Sequence, residues 1–351
     1  MKIIVDAMGG DFAPHSTVEG ALLAQKEYGV EVVLVGQSDK IRQALADCGE
    51  TTLPAGIEIR HASQVIEIAD DPATAFKQKK DSSVTVGMNM LHEGQGDAFV
   101  SAGSTGALLS AATLLVKRVR GIRRAAMAPV IPTAGGKAVL IDCGANAECT
   151  PEYLLQFAFM GSYYVSSALK IPDPRVGLLN IGAEPTKGDE LRRETYRRLK
   201  EAGEAGQINF IGNIEAKEAM LGGADVIVAD GFSGNVMLKC IEGVGSFMGK
   251  TVKNMFLSDM TGKIAGLLMR KKLRTFKSML DPNRVGGTPF LGISAPVIKA
   301  HGSSNAEAIK NAIHQAEEFA RSGMIADIEE HIDLMRLPPK GEGSAERASG
   351  K

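Results

Sequence analysis

Tryptophan is missing from this 351-residue sequence, and aromatic residues make up only 5% of it. A core must therefore be built from aliphatic and small side chains, and a hydrophobic content of 44% is that of a globular chain. Cysteine is scarce, with Cys48, Cys143, Cys149 and Cys240 forming no C-x-x-C pair. That spacing argues against a disulfide framework and a structural zinc site, and it suits a reducing compartment. Charge of one sign is not in excess either, the formal net charge being −1. Nucleic acid is thus not expected as a partner, and any basic function has to be local. No apolar run is long enough to span a bilayer, and the run at the start is too short for a signal peptide, so the cytoplasm is the expected location.

Familiar signatures are lacking as well. No G-x-G-x-x-G follows a strand-like run, and neither G-x-S-x-G nor H-E-x-x-H occurs. Gly249-Lys250-Thr251 ends like a P-loop, but Val244 stands where its first glycine belongs and no strand precedes it. No cofactor and no metal are expected.

Glycine is abundant, with 40 residues placed mostly where strands would meet helices. Strands are predicted at Lys2–Ala7, Val32–Val35, Ile57–His61, up to Val100, Ala138–Asp142, Arg175–Asn180, Ile208–Ile211, Asp225–Ala229 and Ala295–Lys299. Between them, helical spacing covers Thr17–Tyr28, Ser38–Cys48 (capped by Ser38), Ala73–Lys80, Val84–Glu93, Glu152–Leu169, Glu190–Ala202 and a last helix reaching about Ser322. Gly286–Gly292 reads as a loop. Alternation of this kind predicts an α/β fold with a mostly parallel sheet, and the unbroken apolar strands suit burial on both faces. Residues 1–336 read as one large unit in one or two lobes. The tail at 337–351 has too little apolar content to order itself.

Six turns share one layout, each placing glycine with Asp, Ser, Thr or Asn after a strand: 6–11, 101–106, 142–146, 180–189, 230–235 and 301–305. In a doubly wound sheet such turns lie along one edge, where ligands bind. The turn Ser101-Ala-Gly-Ser-Thr-Gly106 opens a helix near Thr105. Gly103 and Gly106 let a ligand approach the backbone, while Ser101, Ser104 and Thr105 add hydroxyls beside unpaired N–H groups. An anion site fits this stretch, and so does a plain cap by Ser104 or Thr105. Ser304-x-x-Glu307 likewise matches a capping box. The turn aspartates could simply accept N–H groups. Together the six would make a donor-rich pocket.

Two segments are locally basic. Lys117–Arg124 carries Arg118, Arg120, Arg123 and Arg124. Residues 244–280 hold Lys250, Lys253, Lys263, Arg270, Lys271, Lys272, Arg274 and Lys277 against one acid, Asp259. An apolar set that includes Phe256, Ile264, Leu267 and Leu268 follows helical spacing there. A basic amphipathic helix suits an anionic membrane surface, and the same stripe suits a dimer interface. Gly262 and Gly266 mark places where helices could be joined or bent.

Read together, Asp6-Ala-Met-Gly-Gly-Asp11, Lys79-Lys-Asp-Ser-Ser83, Val100-Ser-Ala-Gly-x-Thr-Gly-Ala107, Asp142-x-Gly-Ala-Asn146, Gly182-x-Glu-x-x-Lys-Gly188, Asp230-Gly-Phe-x-Gly-Asn235 and His301-Gly-x-Ser-Asn305 resemble the bacterial PlsX phosphate acyltransferase family. The match runs in order from residue 1 to about 320, departing at Ser104, where the family more often has Asn. The resemblance implies transfer of a fatty acyl group from acyl-carrier protein to inorganic phosphate, for phospholipid synthesis. It also implies a three-layer α/β/α fold similar to phosphate acetyltransferase and isocitrate dehydrogenase, a homodimer, and cytoplasmic residence with peripheral membrane contact. Phosphate is itself the nucleophile in that chemistry, so no Ser or Cys nucleophile is required. Candidate roles are phosphate binding by Ser101, Gly103, Ser104, Thr105, Ser303 and Ser304, and catalysis by Asn146, Lys187 and His301. Asp6, Gly9, Gly10, Asp11, Glu184, Asp230 and Asn235 would form the pocket rim. The four arginines would receive acidic acyl-carrier protein, and Phe256, Ile264, Leu267, Leu268, Lys271 and Lys272 would meet the membrane. The alternatives are a phosphate acetyltransferase using a short acyl-CoA, a non-catalytic membrane-bound scaffold and, more remotely, a dehydrogenase.

Overall fold

Valine, isoleucine and leucine runs that cannot be half-solvated pair side by side, and they do so here in two sheets rather than one. The structure, a computed structural model, describes residues 1–273 and 286–336. The first sheet contains β1 (Lys2–Asp6), β2 (Glu31–Gly36), β3 (Ile57–His61), β4 (Ala98–Ser101), β5 (Ala126–Met127), β11 (Gly287–Leu291) and β12 (Val297–Ala300), in the order β3-β2-β1-β4-β12-β11-β5. The second contains β6 (Val130–Thr133), β7 (Gly136–Ile141), β8 (Arg175–Leu179), β9 (Asn209–Ile214) and β10 (Val226–Val228), in the order β6-β7-β10-β8-β9. All pairings are parallel except those made by β11 and by β6. The α/β fold expected from the sequence is present, with its parallel strands divided between two sheets.

Both sheets are covered on both faces, which is why their strands show no polar alternation. Ile3, Val5, Val100 and Ile298 of the first sheet share one buried core with Val139, Ile141, Val226 and Val228 of the second. The helices Pro151–Ser167 and Ala306–Arg321 contribute Leu154, Phe157, Ile309, Ile313 and Phe319 to that core. On the far face of the first sheet, Ile4, Phe99, Phe290 and Val297 pack with Met88 of the helix Ser83–His92. On the far face of the second, Leu140 and Ile227 pack with Ala219 and Met237. Close packing leaves room only for glycine at Gly20, where a Cβ would stand 2.7 Å from the Ala306 carbonyl oxygen.

Several local expectations are corrected. Gly286–Gly292 is largely strand, since β11 pairs antiparallel with both β12 and β5. Its three glycines and Pro289 hid it, because such residues weaken a strand reading. β5 and β6 are too short, and too close to Pro129 and Pro132, to be read from pattern. Ser38 does not cap its helix: it is the first helical residue, and its hydroxyl lies 3.0 Å from His61 Nδ1. The helix Gly231–Leu257 runs for 27 residues, but only Gly231, Gly234 and Met237 are buried. It turns at Ser258–Asp259 into the helix Met260–Leu268. Gly262 and Gly266 are contact points within this hairpin rather than joints, since Cβ atoms there would meet the Phe256 carbonyl oxygen at 3.1 Å and the Phe256 side chain at 3.3–3.5 Å. Arg274, Lys277 and the tail at 337–351 lie outside the described residues.

Candidate active site

In a parallel sheet every strand delivers its following turn to the same edge, so the six turns gather as two groups of three. β1, β4 and β12 are adjacent and carry turns 6–11, 101–106 and 301–305. β7, β10 and β8 are adjacent and carry turns 142–146, 230–235 and 180–189.

The first group is organised by a buried rank of polar side chains. Ser101 donates to Asp6 Oδ2 at 2.7 Å, and its oxygen accepts the Gly103 N–H at 3.0 Å. Asp6 also accepts the Met8 N–H at 3.0 Å and is buried, which raises its pKa despite hydrogen bonds from the Ser83 and Ser101 hydroxyls. Gly9 must be glycine, because a Cβ would lie 2.7 Å from the Gly103 nitrogen. At Gly10, φ is +108°, and the following Asp11 N–H bonds the Gly302 carbonyl at 2.8 Å. Turns 6–11, 101–106 and 301–305 are thereby fastened to one another. Lys299, absent from the sequence-level candidates, completes the rank: it lies opposite Ser101 in the β4–β12 register and is buried. A charged residue inside the apolar run Val297–Ala300 was the available signal.

Two cap readings fail in this group, and both failures leave hydroxyls uncommitted. Ser104 precedes the helix Thr105–Ala111 but makes no side-chain cap bond. Asn305, not Ser304, caps the helix Ala306–Arg321, accepting the Ala308 N–H at 2.9 Å. Ser304 is buried, and its Oγ has no hydrogen-bond partner. His301 accepts the Ser303 N–H on Nδ1 at 3.2 Å, with the Ser303 hydroxyl at 2.9 Å. A backbone N–H can only donate, so the neutral ring carries its proton on Nε2.

In the second group Asp142 is a nest for backbone donors. It accepts from the Met127, Cys143, Ala145 and Asn146 N–H groups at 2.7–3.2 Å. Asn146 donates from Nδ2 to the Ala125 carbonyl at 2.8 Å and to Asp142 at 3.0 Å. Both amide protons are engaged, so as arranged Asn146 braces this rim. These bonds to residues 125 and 127 also tie the second sheet's rim to β5 of the first sheet. Asp230 caps the helix Gly231–Leu257 through the Ser233 N–H at 2.9 Å and pairs with Arg192, so its position on the rim is structural. Asn235 is exposed beside Gly144. Cys149 is pushed up to about 12 and Cys143 higher still, burial being the main cause in both. Neither thiol can act as a thiolate at neutral pH.

Lys187 sits in an exposed loop shaped by its own backbone, with its N–H on the Glu184 carbonyl and its C=O taken by Asn180 Nδ2, both at 3.1 Å. Among the described residues its ammonium makes no ion pair. Glu184 is exposed, and its carbonyl is held by Asn213 Nδ2 at 2.8 Å. Among the described residues no hydrogen bond joins the first group directly to Asn146 or Lys187.

The arginine segment is not helical. Val119 and Ile122 anchor it in the core, leaving Arg120, Arg123 and Arg124 exposed. Arg118 bonds the Arg123 carbonyl, Arg123 pairs with Glu152 at 3.1 Å, and Arg124 lies 5.5 Å from the Tyr153 ring centroid. On the hairpin, Ile264, Leu267 and Leu268 are exposed, and so are Lys271 and Lys272. Phe256 instead packs against the neighbouring helix at Gly266 and is only partly exposed.

Comparison with known proteins fixes the family. A family model described as "Fatty acid synthesis protein" matches residues 1–327. A phosphate acyltransferase of Alkaliphilus oremlandii is 46% identical over 95% of this chain and 98% of its own length. One from Bacillus licheniformis is 43% identical over 95% and 98%. The chain belongs to the phosphate acyltransferase family. Membership makes it an acyl-transferring enzyme of fatty-acid and lipid synthesis and removes the scaffold and dehydrogenase readings. Among solved structures, a phosphotransacetylase from Streptococcus pyogenes superposes with a TM-score of 0.60 at 18% identity, covering 91% of this chain and 94% of its own. EutD phosphotransacetylase from Staphylococcus aureus gives 0.59 at 16% over the same shares. At such identities the likeness is one of fold.

Proposed function

We propose that this enzyme transfers a fatty acyl group from the thioester of acyl-carrier protein to inorganic phosphate, releasing the carrier thiol and forming an acyl phosphate. The observation that carries this reading is Ser104, whose hydroxyl makes no cap bond, with Ser304, whose buried hydroxyl has no partner, beside the close-packed backbone of Gly9 and Gly103. Phosphate bound there by Ser101, Gly103, Ser104, Thr105, Ser303 and Ser304 attacks the thioester carbon directly. Holding both reactants together removes the entropy of a bimolecular encounter. The negative charge that develops on the carbonyl oxygen falls to Lys187, whose ammonium makes no ion pair among the described residues, and a fixed donor contributes on the order of 3 kcal/mol. Collapse of the tetrahedral species re-forms the carbonyl and breaks the C–S bond. His301, in its imidazolium form, then gives the departing thiolate a proton and is left as the neutral ring. Burial of Cys143 and Cys149, the cysteines of this rim, supports direct attack without a covalent enzyme intermediate.

The remaining assignments follow from surface chemistry. Arg120, Arg123 and Arg124 offer positive charge to an acidic carrier protein. The hairpin exposes Ile264, Leu267 and Leu268 with Lys271 and Lys272, which suits an anionic membrane surface, while Phe247 and Met255 suit a second copy of the chain. The competing donor is a short acyl-CoA. Phosphate-dependent thiol release from palmitoyl-loaded carrier protein, compared with acetyl-CoA, separates the two. Turnover confined to acetyl-CoA would overturn the reading.

A further inference from the structure

Beneath the proposed phosphate cradle lies a buried cation that the direct-attack scheme leaves without a task. Asp6, Ser101 and Lys299 occupy one rank across three adjacent parallel strands, since Val5 pairs with Val100 and Lys299 with Ser101. Paired residues of parallel strands point to the same face, so carboxylate, hydroxyl and ammonium stand in a row at the carboxyl edge. Lys299 Nζ donates to the Ala102 carbonyl at 3.4 Å and to the Ala300 carbonyl. Ala102 lies in the 101–106 turn, and Ala300 ends β12 just before the 301–305 turn, so the ammonium ties the first turn to the strand end that launches the second. Two of its protons serve the clamp, and an ammonium has a third.

We propose that Lys299 is the positioning residue of the phosphate site: its ammonium holds the Ala102 turn against the end of β12 at anion-binding separation and supplies the buried positive charge that makes the pocket bind phosphate. This rests on the phosphate-transfer reading given above. The charged groups facing it are the carboxylates of Asp6, at the end of β1, and Asp11, in the turn that follows. The flanking strands β4 and β11 carry no charged residue. Of the nearby helix residues, Lys310 and Glu307 pair with each other at 2.8 Å, and His301 turns its ring to Ser303. Ser101 stands between Asp6 and Lys299, and no ion pair joins the two. The two carboxylates therefore act on the ammonium through space, without a salt bridge. Burial lowers the ammonium to about 8 while the two carboxylates oppose that shift, so the clamp can lose its proton in mildly alkaline solution.

The test is binding of inorganic phosphate by calorimetry, alongside initial rates at varied phosphate, from pH 7 to 9.5. The wild-type dissociation constant should weaken by about tenfold or more as pH rises through about 8, with the affinity for the thioester donor little changed. Lys299→Met should bind phosphate at least about tenfold more weakly at pH 7 and show no further loss at alkaline pH. Lys299→Arg, which stays charged throughout, should hold its affinity at pH 9.5. A wild-type affinity flat across this range, or a folded Lys299→Met with unchanged phosphate binding, overturns the proposal. Should Lys299→Met fail to fold, the wild-type profile and Lys299→Arg still decide it. If phosphate binds as expected but no thiol is released from any acyl donor, the catalytic reading fails while the role of Lys299 stands.

Discussion

Ser304 and Lys187 separate contributions to stability from contributions to chemistry. A buried hydroxyl without a partner contributes nothing to folding, so Ser304→Ala should leave stability unchanged or raise it by about 1 kcal/mol. Its phosphate KM should nonetheless rise several-fold, which thermal melts and initial rates would read together. Lys187 is exposed, and its ammonium is unpaired among the described residues, so Lys187→Ala should shift stability by less than about 0.5 kcal/mol. Loss of an oxyanion donor predicts kcat/KM lower by about 10²-fold. Lys299 acts on stability with the opposite sign to an ion-paired lysine. Its pKa is lowered from 10.5 to about 8 on folding, so between those values the unfolded chain binds more protons. Stability should then rise with pH from about 8 to about 10.5, the burial penalty being fully present below 8. Denaturant midpoints at pH 7.5 and 10 would show the rise, and Lys299→Met should abolish it.

Among the elements, the helix Gly231–Leu257 depends most on a single residue. Asp230 caps it and pairs with Arg192, so Asp230→Ala would strip a cap and leave a half-buried guanidinium short of its partner. A loss of about 3 kcal/mol is expected in urea melts. At the other end of the hairpin Leu267 is 71% exposed, so Leu267→Glu should fold normally yet fail to float with anionic liposomes. Unchanged flotation would remove the membrane assignment. The major parallel strands and their helices were legible because apolar runs bounded by glycine turns leave few alternatives. Where local chemistry competed, sequence reasoning misplaced details. Ser304 matched a capping box, but Asn305 one residue on has the shorter reach to the Ala308 N–H and took the cap. Pro289 and the glycines at 286, 287 and 292 disguised β11, whose pairing with β5 and β12 no local pattern reveals.

For the whole molecule, the sequence located the turns but not their partition. That six turns would follow parallel strands was readable, whereas their division into two groups of three depends on which strands pair, a long-range property. The buried rank of Asp6, Ser101 and Lys299 escaped for the same reason: its members are 95 and 198 positions apart in the chain and meet only through strand order. The hairpin carries a geometric consequence. One continuous 27-residue helix begins against the Asp142–Asn146 nest and ends among exposed methionine and leucine side chains, a rigid span of about 40 Å. Whatever grips its tip therefore fixes the height and tilt of the Asp142–Asn146 rim at its foot, as a mast fixes a lamp. Inserting four residues near Phe247 would lift the lamp by about 6 Å and swing it through roughly one turn.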